Sequence, residues 1–539
     1  MAEVVEKYDP IYNLTSIKGF SIAYIQEFHR KHGVSFEEMD KAWKHASEYR
    51  SSDFGQDEPM DNSMKVVDLQ DEFCSNLRGN ALSYSWNDIG AGELFAETYR
   101  DSVYYVTDAR QWAFYTGKVW KIGAQAEVAE LSKQLTSQVL PALASGIDDD
   151  TQRMAWLKWC GRMQSNNART QMLESASTIP GIVTTLDSFD ADSRYLALSN
   201  GILDLTKLEL LQHDKKYKLS KMTSAKYNSA AKCERWEKFI QQITCYNNDL
   251  ARFLQIAKGY TLLGKPVEDC LFIELGVTTR NGKSTLERAI LNVYGDYAKT
   301  ASPETLAVNR YKGGNTSSPD LARLKGVRYV NMPEPPKGLE LDGSLVKQLT
   351  GRDPIIARNL YQGFFEYIPQ FVIWINSNYR PLINDMTLFT SGRVFCIPFD
   401  AQFPEIRQDK NLLEQFAQPE AMSAILNWLI EGLQLYRREG LRYNIPSVIV
   451  SSTQAYEDDS DSFGAFLNDF VLECEGDFAL SAEIYSLYKR WAKAEGYRQM
   501  SLKSMVSEMK RRGYRDKKKS HGNGFSDIAL IQELPVEWD

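Results

Sequence analysis

The chain has 539 residues, 43% of them hydrophobic and 25% charged, with a net charge of −8. That length exceeds a single core and predicts roughly three or four domains, while the composition is that of ordinary globular protein and argues against wholesale disorder. The seven dispersed cysteines and five scattered histidines argue against a disulfide framework or a Cys/His metal site, and with no apolar run of ~20 residues and no signal-like start, the expected setting is a reducing cytoplasm.

In chain order, 22–33 and 36–50 carry helical spacing and 51–63 is a polar linker or loop, together an N-terminal helical extension over 1–100 of unassigned role. The aromatic alternation of 101–123 predicts strands joined at Thr116-Gly117-Lys118. Helices over 126–145 and 151–177 and a strand-like 194–205 complete an α+β domain at 101–230. Asp148-Asp149-Asp150 reads as an acidic loop.

From about Cys233 two amphipathic helices, 236–243 and 249–264, lead into apolar strands alternating with helices: 270–275, 284–295, 326–332, 371–377 and 393–399. Such alternation predicts an α/β core with a mainly parallel sheet over 231–450, closed by the helix 421–440. After an Asp/Ser-rich break at 456–462, residues 455–539 read as helices at 463–474, 481–496 and 501–513, a basic turn and a strand at 526–534. That order suits a winged helix. Its Lys503, Lys510, Arg511, Arg512, Arg515, Lys517, Lys518 and Lys519 face only Glu508 and Asp516. Such a patch can hold a phosphate backbone despite the acidic whole; the alternative is a solvated helix face.

The strongest signal is CLFIELGVTTRNGKSTLERAIL, a buried strand, a loop and a helix start. Loop N–H groups and the helix N-terminus suit phosphates. The expected ATP contacts are Gly276, Thr278, Thr279, Arg280, Asn281, Gly282, Lys283, Ser284 and Thr285, with Lys283 on the β- and γ-phosphates and Ser284 on Mg²⁺. The usual loop places four residues between its glycines; here Val277 to Asn281 intervene, and Val277 takes the usual first-glycine position. Downstream, Glu334 ends one apolar strand, where Mg²⁺ or the attacking water needs a carboxylate. Asn376, Ser377 and Asn378 end another, and Arg393 precedes a third, on the side where a neighbouring subunit could sit.

These features resemble the superfamily 3 helicases of the phage and plasmid primase-helicase type, a branch of the AAA+ ATPases, from roughly Tyr104 to the C-terminus. The resemblance implies that NGKST is the Walker A loop and that Glu334 is the Walker B acid and a Mg²⁺ ligand with Ser284. It makes Asn378 the sensor and Arg393 an arginine finger acting in trans. It places a B′ motif and hairpin over 346–369, where Lys347, Arg352, Arg358 and Tyr361 would meet DNA in a central channel. Residues 198–205 and 210–228 resemble the helical domain before the ATPase core, and Lys510, Arg511, Arg512, Lys517, Lys518 and Lys519 supply a winged-helix DNA contact.

The implied protein is an ATP- and Mg²⁺-dependent replicative helicase of a phage or mobile element. It would form a homo-oligomeric, hexameric ring on single-stranded or forked DNA, with replication proteins as further partners, in a bacterial cytoplasm. Primase activity is not expected, because the first ~100 residues are short for a primase domain and lack its paired carboxylates. An origin-binding initiator and a protein-remodelling AAA+ ATPase are the alternatives.

Overall fold

The structure is a computed structural model that describes residues 83–308, 319–358, 364–497, 499–520 and 522–531. The readings over 22–63, and Tyr361, lie outside these residues.

Strands β1 (Val103–Val106), β2 (Gln111–Tyr115) and β3 (Trp120–Ile122) pair antiparallel, with the turn at Gly117 where φ is +90°. Helix α1 (Asp88–Tyr99), N-capped by Asn87, precedes them. Helices α2 (Gln125–Gln134), α3 (Asp150–Met163) and α4 (Asn166–Ala176) follow, and β4 (Val183–Thr184) joins β1 in parallel. Asp148 and Asp149 lie in the loop before α3, as expected, and the Asp149 side chain accepts the Gln152 N–H at 2.7 Å, so the acidic loop also caps the helix. Gly92 of α1 packs so closely on α4 that a Cβ there would lie 2.7 Å from Ser175. Helix α1 therefore belongs with this unit, and the boundary expected at 100 moves to 82/83.

Residues 194–211 fold as strands, as the strand-like reading of 194–205 expects, and only the helical character that the resemblance implied fails here. They form an antiparallel meander of β5 (Tyr195–Leu198), β6 (Gly201–Asp204) and β7 (Glu209–Leu211), turned at Ser199-Asn200, and not part of a helical domain. Leu196, Leu198, Leu203 and Leu205 sink into the same cluster as Trp236 and Phe239. The meander thus packs on the following core, across the boundary expected at 230.

That core opens with α5 (Glu234–Ile243), which buries Trp236, Phe239, Ile240 and Ile243 at helical spacing, and α6 (Asn248–Tyr260). It continues with β8 (Leu271–Leu275), α7 (Lys283–Tyr294), β9 (Ala298–Thr300), α8 (Pro319–Ala322), β10 (Tyr329–Pro333) and α9 (Gly343–Thr350). Then come the hairpin β11 (Ile355–Ala357) and β12 (Phe365–Tyr367), β13 (Val372–Ser377), α10 (Thr387–Thr390), β14 (Val394–Pro398), α11 (Leu412–Phe416) and α12 (Pro419–Glu439). The sheet runs β14-β8-β13-β10-β9 with every pairing parallel. Period-two alternation divides its side chains between two cores: Phe272, Trp374, Tyr329 and Phe395 on one face, Ile273, Ile375, Val330 and Cys396 on the other. All five strands end on one edge.

Helices α6 and α12 cross at Gly259 and Gly432, and a Cβ on Gly259 would run into the Leu433 backbone nitrogen. Gly259→Ala is therefore expected to cost on the order of 1–3 kcal/mol by overpacking. Urea unfolding checks this, and an unchanged midpoint would rule out so tight a crossing.

The Asp/Ser-rich stretch is not a break. It lies largely within α13 (Ser447–Ser460), where Tyr456 is buried and donates to the Pro381 carbonyl, and Thr453 Oγ1 accepts the Cys396 N–H of β14 at 3.0 Å. Asp461 then caps α14 (Ser462–Phe470). Beyond it come β15 (Val471–Leu480), α15 (Ser481–Ala494), α16 (Leu502–Arg511), β16 (Asp516–Lys519) and β17 (Gly522–Leu530). The sheet order is β15-β17-β16, antiparallel, over a core of Phe466, Tyr488, Trp491 and Met505. Two expectations fail here. Residues 471–474 begin a strand rather than extending a helix, held by pairing with the distant β17, and the basic turn is strand β16, which pairs with the same β17 as the first arm of a local hairpin.

Candidate active site

At the end of fully buried β8 the chain leaves the sheet at Gly276, whose N–H donates to the Ser377 carbonyl at 3.1 Å. The Lys283 ammonium turns back over it, donating to the Gly276 carbonyl at 3.1 Å and to Asn378 Oδ1 at 3.0 Å. A side chain at 276 would collide with that amine and with the Asn281 amide, so the glycine is required there. Val277 instead points outward, 80% exposed. The extra residue is thus accommodated as an outward bend, and the close approach falls on Gly276. Asn281 braces the loop from inside, its amide donating to the Thr278 carbonyl at 2.6 Å. Gly282, at φ +89°, starts α7 where a Cβ would strike Ile243. Thr278, Thr279, Arg280 and Ser284 are exposed, and Arg280 has φ +62° with its carbonyl accepting the Phe403 N–H at 2.9 Å.

Glu334 follows β10 directly, exposed and at φ +50°, its N–H donating to the Asn376 carbonyl at 2.7 Å. Because β13 lies between β8 and β10, Asn378 stands between the loop and Glu334. Burial pulls the Lys283 amine down to about 8, while the charges of Glu274 and Glu334 pull it back up. Lys283, Asn378 and Glu334 are therefore gathered at one edge of the sheet. Ser284 and Glu334 are exposed oxygen donors there, a chemistry that fits Mg²⁺.

Arg393 is not gathered with them. It sits at the opposite edge, at the start of β14, donating to Thr350 Oγ1 at 2.9 Å and to the Asp269 carbonyl at 3.3 Å. Its carbonyl accepts the Leu271 N–H. The length of β8 separates it from Gly276 by about 17–20 Å.

The expected DNA contacts also divide. Lys347 lies on α9 and pairs with Asp385 at 2.6 Å, and Arg352 donates to the Val267 carbonyl at 3.0 Å, so neither projects with the hairpin. Arg358 is at the hairpin, 4.6 Å over the ring of Phe364, which is 53% exposed. In the last domain Arg512 is a structural clamp, bound to both Asp461 oxygens and to Glu508. Arg511 is forked onto Glu508 and Lys510 pairs with Asp516 at 2.5 Å. Lys517 and Lys518 stand exposed on β16, with Lys519 over the Phe478 ring.

Sequence reasoning missed a cavity of about 560 Å³ that opens beside Arg280, Gly282 and Thr285. Arg235, Phe239 and Gln242 of α5, with Tyr246 and Phe403, form its other walls. Its aromatic and amide lining suits a nucleobase and ribose, and only packing brings these distant segments together.

Similarity to known proteins is partial. The family described as D5 N terminal like matches residues 92–245. "Putative helicase 022R" of frog virus 3 (isolate Goorha) is 26% identical over 256 residues, covering 45% of this chain and 26% of that protein. A protein of Acanthamoeba polyphaga mimivirus, also named a putative helicase, is 22% identical over 356 residues, covering 62% of this chain and 36% of its own length. One named a putative primase, of African swine fever virus (strain Badajoz 1971 Vero-adapted), is 22% identical over 330 residues, covering 57% and 34%. The chain thus spans between a quarter and just over a third of these relatives. The apo structure of the NrS-1 C-terminal region aligns over 79% of this chain and 96% of that one, at 8% identity and a TM-score of 0.46. Among the described residues no helix is long and apolar enough to cross a membrane.

Proposed function

We propose that this chain, whose relatives support a D5-like primase-helicase family and a helicase- or primase-like part in DNA replication, is an ATP-driven superfamily 3 DNA helicase working as a ring. The observation that carries the reading is the Lys283 ammonium held between the Gly276 carbonyl and Asn378, with Glu334 at the same sheet edge. A nucleotide's phosphates, arriving at the N-terminus of α7, would take over the amine and meet the loop N–H groups. Ser284 and Glu334 would hold Mg²⁺, which when bound offsets the charge on the β- and γ-phosphates. Asn378 would orient the attacking water, and the cavity beside Gly282 would take the base. The opposite-edge position of Arg393 supports a finger serving a neighbour's nucleotide.

Residues 461–531 support the winged-helix reading through three helices and a hairpin, with Lys517 and Lys518 as phosphate contacts. Arg358 and Phe364, with Tyr361 between them in the chain, support the channel hairpin through a cation and an aromatic surface on which a base can stack.

ATP hydrolysis with and without single-stranded DNA, alongside strand displacement on a forked duplex, tests the proposal. Stimulation by DNA together with displacement is the expected result. Hydrolysis indifferent to DNA, without displacement, would instead favour a remodelling ATPase, and preference for one duplex over its scrambled form at matched salt would favour an initiator.

A further inference from the structure

Behind the phosphate loop, between the sheet and helices α6 and α7, lies a fully buried ionic cluster. Lys258 of α6 is 0% exposed. Its Nζ lies 2.8 Å from Glu274 Oε1, contacts the Glu287 carboxylate, and is 2.5 Å from the Tyr329 hydroxyl. It also sits 3.4 Å from the centre of the Trp374 ring. The Tyr329 hydroxyl in turn donates to Glu287, 2.8 Å from each of its oxygens. Burying one ammonium with two carboxylates is expensive, and well-packed neutral side chains of similar size often serve stability as well or better. Burial, then Glu287, holds the Glu274 carboxyl well above the usual carboxylate range against the pull of Lys258.

The four partners are placed in a particular way. Glu274 lies in β8, two residues before Gly276; Glu287 lies in α7, one turn after Lys283. Tyr329 begins β10, the strand that leads to Glu334, and Trp374 lies in β13, four residues before Asn378. One ammonium therefore grips each of the four elements that carry the site.

Building on the nucleotide-site reading above, we propose that Lys258 is a positioning residue whose buried ammonium locks β8, α7, β10 and β13 in the relative placement that brings Lys283, Glu334 and Asn378 together around the transferred phosphate. It touches no reacting atom. Its effect falls on turnover rather than on nucleotide affinity, because reacting groups misplaced by ~1 Å can lose about 10²-fold in rate.

The test compares wild type, Lys283→Ala, Glu274→Gln and the neutralised triple variant Lys258→Met/Glu274→Gln/Glu287→Gln in full-length protein. Melting temperature, Kd for a non-hydrolysable ATP analogue, and kcat are measured for each. The triple variant is expected to fold, to bind the analogue within about threefold of wild type, and to lose at least about tenfold in kcat, with Glu274→Gln falling between. A kcat within twofold of wild type in the folded triple variant overturns the proposal. Should the triple variant not fold, the double variant Lys258→Met/Glu287→Gln, which removes the ammonium and its Glu287 partner while leaving Glu274, held toward its neutral form, in place, decides by the same twofold criterion. Wild-type protein that neither binds nor hydrolyses ATP would refute the nucleotide site itself. Wild-type turnover lost in Lys283→Ala but kept in the cluster variants refutes only the role of Lys258.

Discussion

Lys283→Ala is expected to lower ATP turnover by about 10³-fold or more, because it removes the positive charge aimed at the transferred phosphate. The fold should survive. The side chain is a buried amine pulled down to about 8, and burial is the largest cause, so truncation relieves a desolvation cost while leaving the Gly276 carbonyl and Asn378 Oδ1 without their donor. These effects oppose one another, and a melting temperature within a few degrees of wild type is the expected outcome. The same perturbed amine should make the proposed nucleotide binding pH-dependent. It is mostly charged at pH 7 and mostly neutral at pH 9, and only the charged form attracts phosphate. ADP should therefore bind up to about tenfold more weakly at pH 9 than at pH 7 in wild type, and Lys283→Ala should flatten that dependence. Turnover surviving in Lys283→Ala, or a steep pH dependence persisting in it, would count against the assignment of this amine.

Arg393→Ala is expected to reduce turnover by about 10³-fold as well, if it acts as a finger on a neighbour's nucleotide. The geometry gives this a sharp test. Arg393 stands at the sheet edge opposite Gly276 and is engaged by Thr350 and Asp269 of its own chain, so a direct role in its own site is sterically remote. Subunits carrying Arg393→Ala retain a sound phosphate loop, and subunits carrying Lys283→Ala retain a sound arginine. Mixing the two inactive variants should therefore rebuild a fraction of complete sites and restore part of the ATPase. Mixed rings of wild-type size with no recovered turnover would assign Arg393 to the structural contacts with Thr350 and Asp269 instead.

What the amino-acid sequence determined by itself was the chemistry carried by local pattern. The apolar run 270–275, the Asn281-Gly282-Lys283-Ser284-Thr285 loop and the amphipathic 284–295 predict one another, since strand, loop and helix are contiguous and their periodicities are short-range. The same holds for Glu334 and Asn378, each placed at the end of an apolar strand that a parallel sheet must align. Tertiary structure alone decided the rest, wherever the deciding partner is distant in the chain. Leu196 to Leu205, strand-like already in sequence, joined the following core because Trp236 and Phe239 bury them. Residues 471–480 became a strand because 524–530 pair with them. Arg512, indistinguishable in sequence from the exposed Lys517 and Lys518, became a clamp because Asp461 lies beside it. The loop at Gly276 shows both sides. Its residues and spacing carry the expectation of a phosphate site, but that Gly276 rather than position 277 takes the close approach was settled by where the Lys283 amine and the Asn281 amide fold back. A side chain's chemistry is written at its own position, whereas its contacts depend on which distant segments the packing of the core brings against it.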